Sequence, residues 1–161
     1  MKILGKELFD ELTAKAMESP RRRAHHNLHQ TAEEDIHRLC ISAETDTYIR
    51  PHKHSAKDKW EFLSILKGAV SVLVFDDNGT VTNRCELSPG GNVCALELEE
   101  NIFHCFVSQE PGTIAVEVKR GPYVPTPEED FGSWAPPEGD EKAPAFLEWM
   151  RTAQVGQKAS Y

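Results

Sequence analysis

The sequence predicts an all-β protein, an antiparallel barrel or two-sheet sandwich, with one helix ahead of it and a proline-rich arm behind. Three observations carry this expectation. From Ile36 to Val118 short apolar runs alternate with turn signals, as short antiparallel strands require. Asn78-Gly79 follows Val70-Ser-Val-Leu-Val-Phe75 and marks a hairpin, because both residues tolerate positive φ. Ser88-Pro-Gly-Gly91 marks another turn.

The flanks read differently. Between Gly5 and Met17 the spacing of Leu8, Leu12 and Ala16 fits one helix, which Pro20 prevents from continuing far. Residues 21–35 are polar, first basic and then acidic, and are expected as a segment ahead of the barrel. After Gly121 come Pro122, Pro125, Pro127, Pro136 and Pro137, too many for regular ladders, with Tyr123, Phe131 and Trp134 among them. This predicts an extended arm laid over the barrel or over a second subunit. Pro144 suits the first turn of a short helix carrying Phe146, Trp149 and Met150 on one side. At 161 residues the chain holds one core, so a single domain is expected: residues 1–35 as helix and basic segment, 36–120 as barrel, 121–161 as arm.

The chemistry centres on Tyr48-Ile-Arg-Pro-His-Lys-His54. Two histidines one residue apart on an extended strand point the same way, since side chains alternate faces with period 2. With Glu61 and His104 downstream, they supply the imidazole and carboxylate ligands that divalent transition metals prefer. By the same parity Tyr48 and Arg50 are expected on the face of His52 and His54, Lys59 and Leu63 on that of Glu61, and Phe106 on that of His104. The cavity so formed has an apolar floor and a polar mouth, the make-up of a small-ligand pocket. Arg50 and Lys59 are candidate ligand-binding cations; Arg50 also reads as a buried ion-pair partner and Lys59 as a solvated loop residue. If residues 21–29 are extended, Asn27 and His29 share a face and can contact ligand at the pocket mouth. His25, His26 and His37 read as ordinary surface or loop histidines. Tyr48 and His29 are the candidate catalytic groups beyond the metal ligands.

The order His52, His54, Glu61, Gly68 and then Gly91 to His104 resembles the two-part signature of the cupin superfamily. That resemblance implies a cupin-type antiparallel β-barrel (jelly roll) with His52, His54, Glu61 and His104 holding one divalent metal. Two departures stand out. Six residues separate His54 from Glu61, more than the usual pattern, so a loop must absorb the surplus. Glu99 and Asn101 occupy the usual proline and glycine positions, and asparagine is one of the few residues that visits left-handed backbone cheaply. More narrowly, RRRAHHNLH (21–29), YIRPHKH (48–54), KWEFLSILKG (59–68), FDDNG (75–79), EVKRGPY (117–123) and DFGSWAPPEGD (130–140) resemble the cupin fold metalloprotein family WbuC. The resemblance runs from about residue 20 to residue 140. It implies a role near bacterial surface polysaccharide synthesis and does not define a reaction.

Composition narrows the partners. A net charge of −8 repels nucleic acid and anionic membrane. No apolar run is long enough to span a bilayer, and the start Met-Lys-Ile-Leu-Gly-Lys-Glu lacks a signal peptide's apolar segment, so a cytoplasmic protein is expected. Cys40, Cys85, Cys94 and Cys105 show no CxxC spacing and read as buried free thiols, with Cys105 facing away from His104. The apolar Phe62 and Leu66 need cover on the outer face, from the terminal segments or from a second copy, and a homodimer is expected. The metal is iron, manganese, nickel or zinc, since all accept imidazole. Two functions fit a small-molecule ligand on such a site. One is an enzyme, a Lewis-acid isomerase or epimerase or a non-haem oxygenase acting on a sugar-like or anionic compound. The other is a module that binds or senses a ligand through the metal without turnover.

Overall fold

Residues 1–160 are described by a computed structural model. Helix α1 (Lys6–Glu18) is followed by eight strands, β1 (Arg23–Asn27), β2 (Ile36–Ala43), β3 (Glu61–Lys67), β4 (Val70–Phe75), β5 (Val81–Leu87), β6 (Ala95–Leu98), β7 (Phe103–Ser108) and β8 (Thr113–Arg120). A 3-10 turn (Glu128–Asp130) and helix α2 (Ala143–Thr152) complete the chain. The strands form a five-stranded sheet in the order β1-β2-β8-β3-β6 and a three-stranded sheet in the order β5-β4-β7, with every pairing antiparallel. This is the two-sheet jelly roll expected of the sequence.

Alternation along the strands builds three apolar layers. Leu63 and Ile65 of β3, Val70 and Val72 of β4, Leu87 and Ala115 meet between the sheets as the barrel floor. On the outside of the five-stranded sheet, α1 lays Leu12 against Cys40 and Ile114, with Leu8 and Phe9 beside them. Outside the three-stranded sheet, Leu73, Phe75, Cys105 and Val107 are covered by Phe146, Leu147 and Met150 of α2. Burying one such side chain is worth about 2 kcal/mol, so both flanking helices are held mainly by packing. The thiols divide between layers: Cys40 and Cys105 are buried, Cys85 is half-buried and Cys94 is exposed, so burial does not extend to all four.

The arm lies on its own barrel. Trp134 packs on Phe75 and Phe103, with ring centroids 4.8 and 6.0 Å away. It also fills the space above Gly79, where a Cβ would come within 2.6 Å of the indole. Gly79 has φ 81° while Asn78 keeps negative φ, so only the glycine of the hairpin pair uses the left-handed region. The tail then adds to the edge of β5: Val81 N–H donates to Gln157 O (2.9 Å), Gly156 N–H to Val81 O (2.8 Å) and Ala159 N–H to Gly79 O (2.9 Å). Arg84 closes the end of α2, donating from Nη1 to Met150 O and Ala153 O (3.0 Å each) and from Nη2 to Arg151 O (2.9 Å). Those carbonyls would otherwise be unpaired at the helix C-terminus.

One boundary differs from the sequence reading. Arg23–Asn27 is not a segment ahead of the barrel but its edge strand, paired with β2 from Arg23↔Ala43 to Asn27↔Leu39. A polar edge strand has no apolar alternation to announce it. The strand is pinned to the arm through Glu138, whose carboxylate accepts from Arg23 Nη2 (2.6 Å) and from Arg21 Nε (2.9 Å) and Nη2 (3.1 Å). Arg23 also donates to Thr47 Oγ1 (3.2 Å) and Tyr48 O (2.9 Å).

Burial pushes the Glu138 carboxyl up, but Arg21 and Arg23 outweigh it and leave it below its ordinary value of 4.5. A carboxyl depressed by folding stabilises the fold above its unfolded pKa, and that contribution is lost as pH falls through the folded value. Glu138→Gln is therefore expected to destabilise the protein by about 1–2 kcal/mol at neutral pH. Chemical denaturation of both forms across pH should show the gap narrowing below about pH 4.5; a gap independent of pH would contradict the assignment.

Candidate metal centre

His52 and His54 sit in an extended stretch that forms no regular strand. His52 bridges His104 on one side and Phe131 on the other. Its N–H donates to His104 O (3.0 Å), and His104 N–H donates back to His52 O (2.8 Å). On the arm side Lys53 N–H donates to Asp130 O (2.8 Å) and Gly132 N–H to Pro51 O (2.9 Å). Asn101 has φ 61° and donates its N–H to His54 O (2.8 Å), the left-handed turn that the glycine position of the signature demands. The longer loop from His54 to Glu61 is taken up by a turn in which Asp58 has φ 62° and Lys59 N–H donates to Ala56 O (3.3 Å). Asp130 fixes its start, accepting from Ser55 N–H (3.1 Å) and Oγ (2.9 Å). Glu61 then opens β3 facing inward.

These constraints bring His52, His54, Glu61 and His104 together, with one ligand atom of each lying within 4.8 Å of the others. Each imidazole is oriented from behind where the partner is a carbonyl: His52 Nδ1 lies 3.0 Å from Arg50 O and His104 Nδ1 2.8 Å from Ile102 O. An Nδ1–H donated outward leaves Nε2 aimed inward, as metal-binding histidines require. The Glu61 carboxylate bridges two rings, Oε1 at 3.0 Å from His54 Nε2 and Oε2 at 3.0 Å from His104 Nε2. The first contact lacks hydrogen-bond geometry, which leaves His54 Nε2 buried and unpaired. A buried, unpaired imidazole nitrogen beside a carboxylate is costly without a cation to bind it. The donor set fits a divalent metal, and this cluster is positioned to bind one.

Electrostatics point the same way. Burial, with the neighbouring His104, pulls the His52 imidazole down to about 3, so it stays neutral and keeps a lone pair for a ligand bond. Burial works to raise the Glu61 carboxyl, but His104, His54 and Lys119 outweigh it and hold it well below the usual carboxylate range. For His104 burial pulls down, and Glu61 more than compensates, leaving it raised. Lys119 was not among the sequence-derived site residues. Its Nζ lies 3.0 Å from Glu61 Oε1 and 2.5 Å from Glu117 Oε1. Alternation in Glu117-Val-Lys119 places both on the inner face of β8, a signal present in the sequence.

The cluster forms part of the wall of a cavity of about 530 Å³ between the sheets, with Leu39, Ile41, Leu63 and Phe106 among the apolar lining. Asn27 and His29 line it as expected; His25 and His37, read as ordinary histidines, line it too. His29 and His37 stack, centroids 4.1 Å apart. Three expected members lie elsewhere. Tyr48 belongs to the layer beneath α2 and donates its hydroxyl to Pro136 O (2.8 Å). Arg50 pairs with Glu128 (2.9 Å), lies over the Phe131 ring, and is absent from the lining. Ile49 faces the cavity instead, because single-bridge backbone around Pro51 does not keep strict alternation. Lys59 donates to Arg120 O (3.2 Å) and Pro122 O (2.7 Å) and lines a smaller cavity of about 180 Å³ under the arm, which His54 and Glu61 also reach.

An antiparallel two-sheet barrel carrying three inward histidines and a glutamate has the cupin-type fold. The chain belongs to the family described as Domain of unknown function (DUF6016), whose model matches residues 4–87, over half of its length. No curated protein sequence matches it. Among solved structures it is similar to KdgF from Halomonas sp. (19% identity, covering 66% of this chain and 84% of that one, TM-score 0.51). It is also similar to the conserved SPY1581 protein of unknown function from Streptococcus pyogenes (12%, 76% and 90%, 0.51) and to a cupin superfamily protein from Desulfitobacterium hafniense DCB-2 (11%, 61% and 76%, 0.48). At these identities the likeness concerns the fold. No helix among the described residues is long and apolar enough to cross a membrane.

Replacing His52 or His104 with alanine is expected to remove most bound metal while circular dichroism and melting still report a folded barrel, since the bridge between the two residues is made by backbone. Glu61→Gln keeps the side-chain size and should weaken metal binding about tenfold or more. Full metal content in the double variant His52→Ala, His104→Ala, measured by elemental analysis, would disprove the site.

Proposed function

We propose that this protein is a mononuclear metal-dependent cupin enzyme of the WbuC type, isomerising, epimerising or oxidising a small sugar-like or anionic compound in the cytoplasm. The observation that carries this reading is the placement of His52, Glu61 and His104 on the wall of a cavity of ligand size, about 530 Å³, rather than in a sealed core. Iron, manganese, nickel or zinc fits the donor set, and when bound it supplies a Lewis acid for a substrate oxygen. The chain's own residues do the rest. Leu39, Ile41 and Leu63 exclude water from one side of the substrate, and the histidines of β1 and β2 face its polar groups.

Two lining groups are suited to move a proton. His29 is anchored through Nδ1 by Arg38 N–H (3.1 Å), which leaves its second nitrogen for a substrate. Glu117 is raised from its ordinary value by burial and by the charge of Glu61, against the pull of Lys119. A carboxyl so raised holds its proton nearer neutral pH. Tyr48, whose hydroxyl is spent on Pro136 O outside the cavity, is not part of this scheme. The strings shared with WbuC cupins support placing the substrate near surface polysaccharide synthesis.

The test begins with protein purified without chelator or nickel resin, its metal determined by elemental analysis. That protein is incubated with a bacterial small-molecule extract and the mixture followed by mass spectrometry. One compound should be consumed and one product appear with the wild-type protein and not with His104→Ala. Retention of a compound without conversion would replace the enzyme by a metal-dependent binding module, and stoichiometrically metal-free protein would remove both.

A further inference from the structure

Every alternate residue from 21 to 29 lines the large cavity: Arg21, Arg23, His25, Asn27 and His29. β1 is the sheet's edge strand, so its inner face presents Arg23, His25 and Asn27 as one column, successive members about 6.7 Å apart, with Arg21 and His29 flanking it. Six of the seven histidines of the chain belong to the metal cluster or to this cavity; His26, which alternation turns outward, is the exception.

The cations around the cavity are already answered. Arg21 and Arg23 both bind Glu138, and Lys119 binds Glu61 and Glu117. The side chains of His25 and Asn27, by contrast, face the cavity and make no hydrogen bond to any described residue. Both are amphoteric: an imidazole offers one donor and one acceptor, and a carboxamide offers two of each. A hydroxyl, itself donor and acceptor, is complementary to such groups, whereas a carboxylate or phosphate needs donors alone. Burial, with the charges of Arg23, Lys119 and Arg21, pulls His25 down to about 4, so its ring is neutral in use. Next to the column, Ile41 is the register partner of His25 and Leu39 that of Asn27, and both line the cavity. Hydrogen-bonding groups beside an aliphatic strip match a ring that carries hydroxyls on its rim and C–H bonds on its face.

We propose that His25 and Asn27 form a subsite for the hydroxyls of a neutral sugar ring, the ring resting on Leu39 and Ile41 while the other end of the ligand reaches the metal cluster. The subsite rests on the reading of this cavity as a metal-dependent small-molecule site and narrows its ligand from sugar-like or anionic to neutral carbohydrate. His25 and Asn27 are specificity-determining residues.

Ligand-observed NMR on the metal-bearing protein tests it with glucose, galactose, mannose, rhamnose and maltose against glucuronate and glucose 6-phosphate, each up to about 10 mM. At least one neutral sugar should bind, and His25→Ala or Asn27→Ala should each weaken it about tenfold. Both residues line the cavity where it opens to solvent and belong to none of the apolar clusters, so their truncation leaves the fold intact, which melting of the variants verifies. Metal content of the same samples should be unchanged. Binding of the anionic members alone, binding of no neutral sugar, or neutral-sugar binding indifferent to both substitutions overturns the subsite. With metal present, those outcomes leave the metal-dependent reading standing. Absence of metal from the wild-type protein overturns that reading separately.

Discussion

The metal centre depends on one pair of backbone hydrogen bonds, those exchanged between His52 and His104. His104 belongs to β7, a strand held along its length by β4. His52 belongs to no strand, and this exchange is what ties the segment carrying His52 and His54 to β7. The pairing sets the two rings 4.8 Å apart, and Asn101 extends the hold to His54. The arm completes the arrangement on the far side through Lys53, Pro51, Asp130 and Gly132. The segment is thus an extended stretch inserted between β7 on one edge and the C-terminal arm on the other. Backbone groups satisfied on both edges leave the imidazoles as the only free polar groups of that segment to face inward.

The same geometry explains what could be read in advance. The helix at the N-terminus, the run of short strands and the arm follow from local signals: apolar spacing before Pro20, turn residues at Gly79 and Gly90, and prolines after Gly121. His52 and His54 were legible as a pair because spacing of two histidines on extended backbone needs no knowledge of the partner strand, whereas Glu61 and His104 were joined to them by the cupin resemblance. Tyr48 and Arg50 were placed wrongly by the same rule, since alternation is a property of pleated, doubly bonded strands and the chain around Pro51 is held by isolated bridges. β1 was hidden because its inner face meets a cavity rather than a core. Strand reading depends on apolar contrast, and Arg23, His25 and Asn27 offer none.

Charge is distributed with a purpose that the net value conceals. The chain carries −8 overall, yet Arg21, Arg23 and Lys119 all line the cavity. Each is restrained by a carboxylate, so the cavity gathers paired charges more than free ones. At the cluster this has a consequence for the metal. Glu61 sits between two imidazoles and Lys119, which together hold its carboxyl well below the usual range, and Glu61 in turn raises His104. A metal ion held by the cluster would meet a carboxylate already ionised, so its binding would draw on electrostatic stabilisation built around Glu61.

Lys119 links the two halves of the cavity. Across the five-stranded sheet its register partners are Glu61 on β3 and His37 on β2, and His37 stacks on His29 at the end of the β1 column. A single row therefore runs from Glu61 of the cluster, through a lysine held between two carboxylates, to the stacked imidazoles of His37 and His29 on the cavity wall. A shift of Lys119 toward Glu117 or toward Glu61 would alter the field at both ends, because its Nζ is within 3.0 Å of each carboxylate. The sheet itself keeps the row in register, its hydrogen-bonded ladder fixing the spacing of neighbouring strands at about 4.8 Å. The five-stranded sheet thus holds Glu61, Lys119 and His37 in one rigid row, while His104 enters the cluster from β7 of the other sheet and His52 and His54 from the segment between β7 and the arm.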